Sequence, residues 1–293
     1  MSVPGDEAGG SDRAFALLQE LLPQHMMSRT MHRLARSTQP VLRKSLIRAV
    51  LRAYPMIDLR EAAEPDPFAY PSFNAFFTRA LRPDARPLAG SERDVVSPVD
   101  GTLSQSGAIR DGQLLQAKGM HYTVDALLAD ESAAARYAGG GYACIYLAPY
   151  NYHRIHMPLA GRLTATRYAP GQLFSVNAGT ARVIPGLFAR NERVVCEFDT
   201  ALGPMAMVLV GALFVGSIET VYAGEINPPA ARGGQVANLA DGIGREFAKG
   251  QEIGRFNMGS TVVLLLGHGS TRFAEGLGAG RTVRMGQLLA TAG

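Results

Sequence analysis

From Val95 onward the chain consists of short runs rich in Val, Ile, Leu and Tyr, each closed by glycine, aspartate or proline, a punctuation that suits strands and leaves little room for long helices. "CIYLA", "RLTATRY", "RVVCEFD", "PMAMVLVGALFVGSIETVYAG" and "TVVLLL" read as strands, "DTALGP" (199–204) as a hairpin turn, and "TVDALLA" as a short helix interrupting the series. Before Val95 the period changes. "DRAFALLQELLP" puts Leu17, Leu18, Leu21 and Leu22 on one helical face. "VLRKSLIRAVLRAYP" aligns Leu42, Leu46, Ile47, Val50, Leu51 and Tyr54, after "STQP", where Ser37 or Thr38 can cap and Pro40 suits a first turn. "PDPFAYPSFNAFFTRAL" (65–81) is proline-broken and then briefly helical, with Phe73, Phe76 and Phe77 as anchors. The expected class is α+β, a mainly antiparallel β domain preceded by amphipathic helices. The expected division is a disordered tail over 1–12, a basic helical segment over 13–64 and a β-rich domain over 65–293. "SPVDGTL" (97–103) and "MPLAGRL" (157–163) share Pro-x-x-Gly-x-Leu at a strand start, which suggests two related β-units.

Charge narrows the class of partner. The net charge is only +4, too small for a dedicated nucleic-acid binder. The excess is concentrated between Ser28 and Pro55, where Arg29, Arg33, Arg36, Arg43, Lys44, Arg48 and Arg52 occur with His32 and no acidic residue. A basic amphipathic helix of this kind can lie in an anionic membrane surface or pack as a surface helix on its own core. The N-terminus lacks the apolar core of a signal peptide, and no run is long enough to span a bilayer, so a soluble or peripheral protein is expected. Cys144 and Cys196 both fall in apolar runs and read as reduced, structural thiols without zinc-site spacing. The segment 225–245 reads as a long Gly/Pro/Ala loop.

Three places could carry chemistry. Asp100 precedes Gly101 at a turn and is either a β-turn aspartate or a functional carboxylate. His153 and His156 lie three apart between Tyr150, Tyr152 and Pro158, as backbone-bonded structural histidines or as acid–base groups; no third ligand points to a metal. The third is Gly259-Ser260-Thr261, ahead of the apolar run 262–266. It is either a turn or a place where a serine hydroxyl attacks the carbonyl before it, which glycine leaves unobstructed while tolerating strain. It is a poor hydrolase elbow, which would read G-x-S-x-G between strand and helix.

"YHRIHMPLAG", "FSVN", "LFARNERVVCEFDTALGPMAMVLVGALFVGSIETVYAG" and "KGQEIGRFNMGSTVVLL" resemble the proteobacterial-type phosphatidylserine decarboxylases, in the family's order and over some two thirds of the chain. The family's Leu-Gly-Ser-Thr motif appears here as Met-Gly-Ser-Thr, a volume-conserving change. The resemblance implies self-cleavage between Gly259 and Ser260 into a beta chain 1–259 and an alpha chain 260–293, with Ser260 becoming a covalent pyruvoyl cofactor that forms a Schiff base with the substrate. It implies that Asp100 supports His156, that His156 takes the Ser260 proton, and that His153 or His156 returns a proton to the product. It further implies phosphatidylserine as substrate, an anionic membrane surface as partner, an alpha–beta heterodimer that can pair again, and a peripheral location on the cytoplasmic face. A pyruvoyl decarboxylase of a soluble amino acid, a serine hydrolase and a non-enzymatic β-scaffold are the competing readings.

Overall fold

The computed structural model describes residues 9–117, 119–214, 217–226, 235–269 and 271–292. Of the expected disordered tail, residues 1–8 lie outside these; the remainder leads into helix α1, Gly10–Leu21. Helices α2, Gln24–Ala35, and α3, Pro40–Ala53, follow. The cap of α3 is Gln39, whose side chain accepts from the Val41 N–H at 3.1 Å, rather than Ser37 or Thr38; Pro40 takes the first turn as expected. Ser72 caps the five-residue α4, Phe73–Phe77, and all three phenylalanines are buried.

Nine strands among the described residues form the main antiparallel sheet. Its long members are β1, Gly101–Ala108, and β2, Gly141–Leu147. Strand β3, Arg154–His156, lies in a second sheet and is followed in sequence by β4, Gly161–Ala169, back in the main one. Strands β5, Arg193–Thr200, and β6, Gly203–Val210, make the hairpin expected at 199–204, with Gly203 at φ +94°. The run 204–224, which reads as one strand in the sequence, divides between β6 and β7, Ile218–Thr220, in different sheets. Strand β8, Glu252–Phe256, joins β7 and β3, while β9, Ser260–Leu266, returns to the middle of the main sheet between β6 and β2. The segment 225–245 is not all loop. Residues 227–234 fall outside the description, and Ala237–Leu239 pairs with β4.

The central strands of the main sheet are buried on both faces, so they read as continuous apolar runs. Val262, Leu264 and Leu266 of β9 enter one core and Val263 and Leu265 the other. A third cluster holds α3 and α4 together through Ile47, Phe73, Phe76 and Phe77. The apolar stripe of α3 thus faces its own protein. The leucine face of α1 does not: Leu17, Leu18 and Leu21 are 63%, 53% and 83% exposed. What α1 and α2 turn inward is Ala16, Ser28, Ala35 and two buried glutamines. Gln19 Oε1 accepts from the Ser175 N–H at 2.6 Å, and Gln24 Oε1 from the Leu173 N–H at 2.7 Å.

The two β-units suggested by Pro-x-x-Gly-x-Leu are present in the hydrogen bonding. The His156 N–H donates to the Pro98 carbonyl at 2.9 Å, and the Val96 N–H to the Pro158 carbonyl at 3.0 Å, so the two segments cross reciprocally. Gly101 and Gly161 begin β1 and β4, and each strand breaks register after its leucine, between Leu103 and Gln105 and between Leu163 and Ala165. Each unit has a second half. "GREFAKGQ" (244–251) lies along 157–163, and "GRTVRMGQ" (280–287) lies along 97–103, through matching bonds at Leu163 and Leu103.

A side chain at Gly101 would place its Cβ 2.4 Å from the Tyr146 carbonyl oxygen and 2.7 Å from Ile145 Cγ2. Gly101→Ala is therefore expected to lower stability by on the order of 1–3 kcal/mol, read as an earlier urea midpoint at fixed protein concentration.

Candidate active site

Ser260 opens β9 opposite Leu147, so the bond before it lies at the edge of a ladder that fixes everything after it. Its side chain is fully buried, and its Oγ has no hydrogen-bond partner among the described residues. Gly259 is outside the left-handed region, and a Cβ there would make only ordinary contact with the Leu147 carbonyl at 3.4 Å. Glycine is thus not holding a strained conformation here; it brings no side chain of its own over the carbonyl. The approach to this bond is clamped. Asn257 accepts from Asn74 Nδ2 at 3.0 Å and donates through Nδ2 to Ser217 Oγ at 2.7 Å.

Gly259 and Met258 line a cavity of about 310 Å³ with apolar walls from Phe15, Tyr54, Phe73 and Phe77. These walls bring α1, α3 and α4 to the bond before Ser260. The Phe77 ring also stacks on His153, centroids 4.1 Å apart and 20° between planes. His153 is wholly buried, neither ring nitrogen makes a well-formed hydrogen bond among the described residues, and burial, then the charge of Arg79, pushes its pKa down to about 3 against a smaller opposing pull from the Pro149 and Ala148 backbone.

His156 ends β3 and faces a different cavity, of about 560 Å³, with Tyr152 and Gly250. Its Nδ1 lies 2.8 Å from the Gly250 carbonyl, which can only accept, so Nδ1 carries the proton. Nε2 is then the acceptor for the Tyr152 hydroxyl at 2.9 Å. Burial lowers the pKa of His156 too. Asp100 is held elsewhere. Arg86 donates Nε to Oδ1 at 2.9 Å and Nη2 to Oδ2 at 2.6 Å, and the Met285 N–H adds a third bond at 2.8 Å. Asp100 and His156 therefore share a neighbourhood, joined by the Pro98–His156 backbone bond, without a hydrogen bond between their side chains, while Ser260 lies by the other cavity. Among the described residues no cluster of His, Cys, Asp and Glu is arranged to hold a metal ion. Sequence reasoning missed Arg86, Tyr152, Asn74 and Asn257. The "ALRPDARP" stretch, whose last arginine is Arg86, was the one visible cue.

The fold and this geometry define a β-sheet protein with a serine buried at a strand start beside an apolar cavity. The family profile described as "Phosphatidylserine decarboxylase" matches residues 73–291, and a second, described as "PSD", matches 14–55. A phosphatidylserine decarboxylase proenzyme of Methylococcus capsulatus is 48% identical over 275 residues, covering 94% of this chain and 95% of the relative. A proenzyme of the same description from Shewanella baltica strain OS155 is 50% identical over 287 residues, covering 95% and 97%. One from Shewanella sp. strain ANA-3 is 50% identical over 285 residues with the same coverage. The chain belongs to the phosphatidylserine decarboxylase family.

Two buried neutral histidines make a pH prediction. Their pKa values are depressed in the fold, so the unfolded chain binds protons that the folded one refuses, and stability falls as pH drops below about 6.5, for His153 continuing toward about 3. His153 alone is expected to cost roughly 2 kcal/mol between pH 7 and pH 5. Urea unfolding at the two pH values should show a smaller difference for His153→Phe than for the parent chain.

Proposed function

We propose that this chain is a proenzyme that cuts itself before Ser260 and then decarboxylates phosphatidylserine to phosphatidylethanolamine at a membrane surface. The observation that carries the reading is the buried, unpartnered Ser260 hydroxyl directly after a glycine that lines an apolar cavity. In the proposed step Ser260 Oγ attacks the Gly259 carbonyl carbon, turning the amide into an ester. His156 takes the hydroxyl proton once its Nε2 is released from Tyr152. The negative charge of Asp100, though not bonded to the ring, favours the imidazolium that forms. Elimination across Cα–Cβ of residue 260 then frees the upstream carboxylate, and hydrolysis with loss of ammonia leaves a pyruvoyl group at the head of β9.

That position suits the group. It is closed to water, has no competing hydrogen-bond partner among the described residues and directly follows a glycine that lines an apolar cavity. A bound pyruvoyl carbonyl supplies the electron sink for loss of carbon dioxide from the substrate's serine moiety. The chain's own contribution is to exclude water with Phe73 and Phe77, to seat acyl chains, and to return a proton to carbon from His153 or His156. The apolar lining favours a lipid over a soluble amino acid.

The lipid has a route. Phe15 lines the cavity and is 42% exposed on α1, the helix whose leucines face outward. We assign membrane contact to α1 rather than α3, with the exposed Arg48 and Arg52 on α3 adding attraction for anionic lipid. No helix of the described residues is long and apolar enough to cross a membrane.

The deciding experiment is the intact mass under denaturing, reducing conditions. We expect a fragment beginning at residue 260 and lighter than its serine form by one ammonia, and Ser260→Ala as a single, inactive chain. A single chain in active protein would overturn the reading. Separately, Leu17→Glu/Leu21→Glu should self-cleave normally and lose most of its sedimentation with phosphatidylserine-containing liposomes; undiminished sedimentation would remove α1 from the membrane contact.

A further inference from the structure

We infer that Arg79 is an anion-binding residue of this protein, and that its ligand is the phosphodiester of the substrate headgroup; the inference rests on the phosphatidylserine reading above. Arg79 is only 4% exposed, and its Nε has no hydrogen-bond partner among the described residues. Among the described residues no carboxylate lies within ion-pair distance of its guanidinium, whose nearest ring contact is Phe76 at 5.8 Å. Other buried arginines are satisfied. Arg86 holds Asp100 and Glu61, Arg167 holds Glu197 and Asp130, and Arg193 donates to four backbone carbonyls. Unlike Arg193, Arg79 has neither a counter-charge nor a full set of backbone acceptors, a state that is costly to keep and that an arriving anion would relieve.

Its surroundings say where the anion would sit. Arg79 lines a cavity of about 160 Å³ with Asp100, Asn151 and Tyr152. At about 30 Å³ per water, that is space for about five waters, enough for a headgroup and too little for acyl chains. The carboxylates around it are already matched: Asp100 with Arg86, Glu61 with Arg86 and Arg284, Asp58 with Arg60. Arg79 is the guanidinium left over. Residues 150–152 line this cavity and Pro149 lines the apolar cavity at Gly259, so one short stretch leading into His153 borders both a polar compartment and a greasy one. The charge of Arg79 is felt at His153. Of the two anionic groups on the headgroup, the carboxylate leaves as carbon dioxide. A cation gripping it would stabilise the ground state and oppose its loss. The phosphodiester keeps its charge throughout, so holding it positions the substrate without resisting the reaction.

The test uses the full-length, self-processed protein with Arg79→Gln and Arg79→Lys. Kinetics are measured in detergent micelles containing phosphatidylserine, with phosphatidylethanolamine as product inhibitor, and chain cleavage is checked by mass. For Arg79→Gln we expect normal cleavage, KM raised about tenfold or more with kcat changed far less, and product inhibition weakened by a similar factor; Arg79→Lys should recover part of the loss. Weaker substrate binding with unchanged product inhibition would give Arg79 to the carboxylate and overturn the phosphodiester assignment. Unchanged KM, or failed cleavage and early melting in both variants, would overturn the site altogether. A correctly cut wild-type protein inactive on phosphatidylserine would instead sink the underlying reading.

Discussion

Everything in this molecule is arranged around strand β9. It pairs residue for residue with β2 along one edge and β6 along the other, and side chains from both of its faces are buried in separate cores. A strand held on four sides has no freedom to shift, because a slip of one residue would exchange the contents of the two cores. Its first residue, Ser260, is already held by Leu147 on one edge, and from Thr261 onward both edges are paired. Ser260 inherits that rigidity while Gly259, one residue earlier, lies outside the ladder and against a cavity. The transition from paired to unpaired backbone falls at a single peptide bond.

Much of this was legible in the chain. The apolar runs, the 199–204 hairpin and the α4 phenylalanines follow from period and punctuation, since burial on both faces of a sheet demands unbroken apolar strands. The Pro-x-x-Gly-x-Leu echo was visible too. Its partners, Gly-Arg at 244 and 280 with Gly-Gln at 250 and 286, are too short and too distant for local patterning to connect; the crossing at Pro98 and Pro158 connects them. The break in 204–224 was hidden because periodicity does not reveal where a chain changes sheets. The orientation of α1 was hidden for a different reason. An amphipathic pattern shows that two faces differ, and here the inward face is marked by two glutamines that satisfy loop N–H groups.

At the site, the sequence identified which residue types lie close to one another but could not say which of them bond. Asp100, His156 and Ser260 invite a linear relay. The structure sets each in its own company: Asp100 with Arg86, His156 with Tyr152 and Gly250, Ser260 alone. Long-range partners such as Arg86 carry no local signature, since an arginine beside prolines could face anything.

The anchoring of β9 has a further consequence for the mature enzyme. On the proposed cut before Ser260, the protein would become two chains held together by the thirteen ladder positions of β9 and by Met285 and Arg284 reaching back to Asp100 and Glu61. Unfolding of the precursor is unimolecular, whereas unfolding of the cut form releases a second particle and gains its translational entropy. The mature protein's melting point should then depend on its own concentration, and dilution after denaturation should strand the fragments. Maturation would convert a reversible fold into one kept together by the slowness with which a central strand leaves its sheet.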